Sequence, residues 1–296
     1  MTLSLVALSV GALDPAGLAR FRGGVLGRPA TGDGTTLVPD DDTRFDLRFL
    51  PADEPKTGQN RMHLDLTSTS LRDEQRTVDR ALALGGRHID VGQRGDEGHL
   101  VLGDPEGDEV CVIEPGNRFL ADCGFVGALA CDGSQRAGDL CSEALGWPLV
   151  WDQDQETAVR SPHGGPEITW GGPPLMPRTA RDRLHLHVAP RDGAREAELD
   201  RLLALGATPA GAGHDGAVGL ADPDGTPFCV LPARQPAVRR GCGGAAGTPA
   251  AGAPGPPAGP AGCPAPRRRG RWSPAGRGGG SPAGRPPTAG RWPAAG

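Results

Sequence analysis

The chain has 296 residues, 37% hydrophobic and only 4% aromatic, with a formal net charge of −5. Nine arginines and no acidic residue fall within 235–296, so the body before that segment carries −14. Such a body excludes a nucleic-acid groove, which needs clustered Lys and Arg to neutralise phosphates, and no apolar run reaches the roughly 20 residues that span a bilayer.

The first predicted element is a strand over Leu5 to Val10. Leu3 to Leu13 are apolar enough to mimic a secretion signal, but no Lys or Arg precedes them, and a strand explains them better. A helix follows, leaving at Leu26-Gly27, and Phe45 to Leu50 is the next strand. Around His63 the alternation is strict: Met62, Leu64 and Leu66 point one way, His63 and Asp65 the other. Val78, Ala81 and Leu82 then form a helical stripe expected to pack on the Met62/Leu64/Leu66 face, with Gly85 placed for a left-handed cap. Asp104-Pro105-Glu106-Gly107 has the residues of a type I turn. In the strand after it, Val110 and Val112 alternate with Cys111 and Ile113.

The second half repeats the first. Arg61 to Leu66 returns as Arg183 to Val188, Asp79 to Gly85 as Asp200 to Gly206, and the turn as Asp222-Pro223-Asp224-Gly225, followed by Cys229. Gly11 to Arg28 aligns without gaps onto Ala130 to Trp147. Phe125 to Ala130 and Glu167 to Trp170 are the matching opening and closing strands. A repeat of this length sets the architecture. Two α+β domains are expected, 1–115 and 116–234, each holding two units of strand, helix and further strands. Pro51 to Asn60 and Gly171 to Asp182 are surface connectors.

Residues 235–296 are rich in Gly, Pro, Ala and Arg and are expected to be disordered, because they offer too little apolar surface to offset chain entropy. Arg267-Arg268-Arg269 and Arg271, with Trp272, could attract anions, although a solvated tail without a partner is the plainer expectation. The seven cysteines are odd in number and contain no CxxC, which fits a reducing cytoplasm. Cys111 and Cys229 sit at equivalent places and are expected to be buried strand residues.

The Leu-Gly helix exit, the Arg-x-His-Leu strand, the Leu-Ala-Leu-Gly helix end and the Asp-Pro-x-Gly-x-x-x-Cys-Val hairpin come in a fixed order, twice. Four such βαβββ units resemble the vicinal oxygen chelate superfamily, and most of all its tandem glyoxalase-like branch, abundant in actinobacteria. The resemblance covers residues 1–234 and implies two glyoxalase/bleomycin-resistance-like domains, each forming a cup for a substrate and often a divalent metal. Relatives that use metal supply His or Glu from the first and fourth strands of a unit. His63 and His185 match the first-strand position, whereas Cys111 and Cys229 replace the usual closing glutamate. The first units have no His or Glu around Ala7 and Phe125, and their closing strands offer Asp46 and Arg48, or Glu167 and Thr169.

A catalytic ion needs about three protein ligands. His63 with Asp65, and His185 with His187, are pairs with no third ligand identified, so no cofactor or metal is expected, and His63, His185 and His187 are the candidates if a divalent ion binds. The expected function is metal-independent binding of a small molecule in one or both cups. His63, Asp65, Cys111, His185, His187, Cys229 and Trp170 are the candidate ligand-binding residues, and no catalytic residue is assigned. Asp65 could instead be paired with Arg61. Trp147, Trp151 and Trp170 form an expected cluster, read as core with a pocket wall as the alternative. Two other readings stand beside this one: a metal-dependent lyase, isomerase or dioxygenase, and an interaction module with vestigial cups. Phosphate-loop and G-x-S-x-G patterns are absent.

Overall fold

The computed structural model describes residues 2–39, 41, 44–92, 98–177, 181–192, 194–213 and 216–233. The segment expected to be disordered, 235–296, with its arginine cluster, lies outside the described residues. The first unit comprises β1 (Leu3–Ala12), α1 (Pro15–Leu26), β2 (Thr36–Leu37) and β3 (Asp46–Pro51). The second comprises β4 (Met62–Leu66), α2 (Leu71–Ala83), β5 (Arg87–His88), β6 (His99–Gly103) and β7 (Glu109–Ile113). In the third are β8 (Val126–Cys131), α3 (Gln135–Leu145), β9 (Leu149–Gln153), β10 (Glu156–Arg160) and β11 (Glu167–Trp170). The fourth holds β12 (Leu184–Pro190), α4 (Arg195–Ala204), β13 (Thr208–Ala212), β14 (Val218–Ala221) and β15 (Pro227–Val230). No helix among the described residues is long and apolar enough to cross a membrane.

Local chemistry explains the boundaries. Asp14 caps α1 by accepting from the Gly17 N–H at 2.9 Å, with Pro15 in the first turn where no donor is needed. The helix ends at Gly27 with φ of 71°, and α3 ends likewise at Gly146 with φ of 65°, conformations that disfavour a Cβ. Both predicted type I turns form, with Gly107 N–H donating to Asp104 O and Gly225 N–H to Asp222 O, each at 2.9 Å. The α2 stripe differs from expectation. Thr77, Val78 and Ala81 are buried but Leu82 is exposed, as is its counterpart Leu203. At 100° per residue, a stripe centred between Thr77 and Ala81 leaves Leu82 at its edge.

The sheets do not follow the repeats. One runs β13-β14-β15-β12-β1-β3-β2, the other β5-β6-β7-β4-β8-β11-β10-β9. Each joins one unit of the first repeat to one of the second. The seams are antiparallel: β1 on β12, with Ser9 opposite His185 and Ala7 opposite His187, and β4 on β8, with His63 opposite Ala130 and Asp65 opposite Ala128. The expectation that each domain closes a cup of its own is therefore corrected. The opening strands β4 and β12 alternate in the same way, and β1 and β8 are apolar almost throughout, so periodicity defines the units without choosing their partners.

A single apolar cluster, including Leu8, Phe49, Leu64, Leu129, Leu184 and Leu202, joins the reverse faces of both sheets to the helices. Two arginines tie the repeats together across it. Arg61 donates through Nε to Asp132 at 2.9 Å and through Nη1 to the Asp224 carbonyl at 3.3 Å. Arg183 pairs with Glu106 and lies 3.2 Å from Asp108, and its Nη2 also donates to the Gly11 carbonyl. Each arginine thus reaches into the other repeat. Arg61 is not the partner of Asp65: four residues at about 3.3 Å each put the two positions about 13 Å apart along the chain.

Candidate functional site

On the eight-stranded sheet, the β4 alternation sends His63 and Asp65 to the face away from the helices, and the parallel pairing of β4 with β7 places Cys111 beside Asp65. The donor atoms of His63, Asp65 and Cys111 all lie within 4.8 Å of one another. His63 Nε2 is 3.1 Å from Asp65 Oδ1, and both side chains are fully enclosed. The seven-stranded sheet builds the equivalent group from β12 and β15, where His187 pairs with Cys229. His185, His187 and Cys229 again converge within 4.8 Å, and the Ser9 hydroxyl lies 3.2 Å from His187 Nε2. His185 and His187 have ring centroids 4.9 Å apart.

The third potential donor, not identified beside either sequence pair, is thus the cysteine. Two imidazoles with a thiolate, or an imidazole, a carboxylate and a thiolate, are donor sets that suit zinc-like ions better than hard, oxygen-seeking ones. The two groups are not equally placed. The segment between β7 and β8 folds over the His63 face. Asn117 accepts from the N–H groups of Phe119 and Leu120 at 3.0 and 3.1 Å, an Asx turn that aims both side chains inward. They pack with Val101, Cys111, Ile113, Ala128 and Ala158. Phe119 meets Trp151 edge-on at 5.3 Å between centroids.

The His185 face is floored by small groups, as Ala128 and Ala130 floor the other. Ala7 and Ser9 of β1 lie opposite His187 and His185, and Gly219 of β14 lies opposite Cys229. Asp46 and Arg48 of β3 continue the two rows, 3.1 Å apart and each partly exposed. His185 is also only partly buried. On the other sheet, the place next to Ala128 belongs to Glu167. Burial pushes the Glu167 carboxyl up to about 7, against the opposing pull of Arg160 and of a Cys123 hydrogen bond.

Glu167 is a group whose folded value is raised from 4.5. Its favourable contribution is complete below about pH 4.5 and is lost as pH rises through about 7. Glu167→Gln is expected to flatten that slope and to leave the variant about 2 kcal/mol more stable than the parent at pH 8, read from urea unfolding at pH 5 and pH 8.

Of the seven candidate residues, six gather into these two groups. Trp170 does not. It lies on the reverse face of β11 in the apolar cluster, while Trp151 is on the His63 face and Trp147 packs at the rim of the main core, so the three tryptophans form no common wall. Ser9 was not among the candidates. Its signal was its place among small residues on a strand that carries no His or Glu.

Paired βαβββ units of this kind are those of the vicinal oxygen chelate class of protein. Within that class the chain belongs to the glyoxalase-like domain family, whose model matches it twice, over residues 6–113 and 127–231. Among solved structures, glyoxalase I from Zea mays aligns over 77% of this chain and 92% of its own, with 12% identity and a TM-score of 0.54. A glyoxalase-related enzyme from Fulvimarina pelagi aligns over 43% of this chain and 96% of its own, with 16% identity and a TM-score of 0.33. At its identity, the Zea mays structure speaks to fold alone. No curated protein matches the chain.

Proposed function

We propose that the chain binds a small organic ligand on the His185 face of the seven-stranded sheet, and that the His63 face is a structural remnant closed by its own chain. The supporting observation is the contrast between the faces. Phe119 and Leu120 fold over one, whereas His185, Asp46 and Arg48 stay partly exposed on the other. A few placed polar groups then orient a ligand while apolar walls supply affinity. His185 and His187 would be those groups, with Arg48 as a cation at the rim.

A second reading is favoured by the convergence of three donors. His185, His187 and Cys229 fit a tetrahedral zinc-type ion with one position left for substrate. Such an ion would polarise a substrate carbonyl or hydroxyl.

One preparation separates these readings. The full chain, purified without a histidine tag, is expected to hold metal well below one equivalent and to be stabilised thermally by a small aromatic or dicarbonyl compound, with the shift lost in His185→Ala. Near-stoichiometric zinc, iron, manganese or nickel that disappears in His187→Ala would refute the metal-free reading. No metal and no thermal response would leave the face vestigial.

A further inference from the structure

The repeat makes the chain its own control for one buried ion pair. In the first copy, Arg22 of α1 donates through Nη2 to Asp104 Oδ2 at 2.7 Å, and both side chains are buried. Asp104 Oδ1 meanwhile accepts from the Glu106 and Asp108 N–H groups and holds the turn. The second copy keeps the turn: Asp222 Oδ1 accepts from the Asp224 and Thr226 N–H groups at 2.9 and 2.8 Å. The place of Arg22 is taken by Cys141 of α3, as the gap-free alignment of Gly11–Arg28 with Ala130–Trp147 shows.

A thiol cannot replace a guanidinium. Burial pushes Cys141 up to about 12, so it remains neutral. Arg61 acts on Asp222 only at a distance, being committed to Asp132 and to the Asp224 carbonyl. Among the described residues Asp222 has no ion pair, and burial raises its carboxyl to about 6, still ionised at neutral pH.

Space accompanies the missing charge. A cleft runs between α3 and the reverse faces of both sheets, lined by Cys141, Leu145, Trp170, Leu186, Phe228 and Asp222. Its void is about 50 Å³, against about 10 Å³ in the corresponding cleft that Arg22 and Asp104 line. A carboxylate in the wall of an apolar slot attracts a cation whose stem the slot can bury.

We propose that this cleft is a binding site for a small organic cation, a guanidinium or ammonium group on a short apolar stem, which occupies the place that Arg22 fills in the first repeat. The site lies on the opposite face of the sheets from both histidine groups and does not depend on them. It also gives Trp170 a role as a wall of this cleft.

The test uses the full chain at pH 7.5, titrated calorimetrically with n-propylguanidine, which is the arginine side chain itself, and with neutral n-propylurea. Saturable binding of the guanidine is expected in the millimolar range, with the urea at least tenfold weaker. Asp222→Asn should weaken guanidine binding at least tenfold. Cys141→Arg should abolish it and raise the melting temperature, and Cys141→Met, which fills the slot without charge, should also weaken it at least tenfold. Absence of guanidine binding, equal binding of the urea, or parental binding in Cys141→Arg or Cys141→Met would each overturn the proposal.

Discussion

Replacing Arg183 by alanine is expected to cost about 4 kcal/mol of unfolding free energy, because it takes the nearest cation from two carboxylates that keep only neutral donors close by, the Leu13 and Asp14 N–H groups on Glu106 and the Asn60 amide on Asp108. Arg183 reaches Glu106 and Asp108, whose side chains are 13% and 0% exposed. Asp108 already sits at about 6, raised by burial and by Asp104, with Asn60, Arg183 and Arg22 pulling it back. Removing Arg183 takes away one of those restraints. The raised folded value means that stability is lost as pH climbs through it, so the penalty should be larger at pH 8 than at pH 5, where Asp108 takes up a proton. Urea unfolding at the two pH values measures both effects. A cost below 1 kcal/mol at pH 8 would mean that the two-arginine clasp contributes specificity rather than stability.

Phe119→Ala is expected to cost about 3 kcal/mol, the usual penalty for removing a buried aromatic ring. Phe119 is 9% exposed and lies edge-on to Trp151. The mutation should also change what the eight-stranded sheet presents to solvent. Water reaches Trp151 and the His63 group, so tryptophan emission shifts to the red and His63 becomes open to chemical modification. If stability falls while His63 remains protected, Leu120 and not Phe119 is the residue that seals the face.

Much of the fold could be read from the chain because its signals are local. Strict alternation at Met62–Leu66, the Leu-Gly exits and the Asp-Pro-x-Gly turns each depend on a few neighbouring residues, and each occurs where expected. What was not legible is long-range. Cys111 completes the His63 group only because β7 pairs in parallel with β4. The strand that Ser9 supports could be either repeat's, since the pattern is the same. Leu82 failed for a finer reason, a small rotation of the buried stripe that turns a core position into an edge one. The divergence of Arg22 and Cys141 was visible in the alignment, but it acquires meaning only once Asp104 and Asp222 are seen to sit across from them.

The crossed sheets also set an order of assembly on the ribosome. Every strand of the eight-stranded sheet comes from one continuous stretch, Met62 to Trp170, whereas the seven-stranded sheet unites the two ends of the folded body. Ser9 must wait for His187, 178 residues later. At translation rates of about 5–20 residues per second, that is about 10–35 s. For that interval the Leu3–Ala12 strand has a bare apolar edge, open to a chaperone or to the same strand of another nascent chain. The middle of the chain can close early, and the ends meet last, like a clasp bracelet fastened after the band is made.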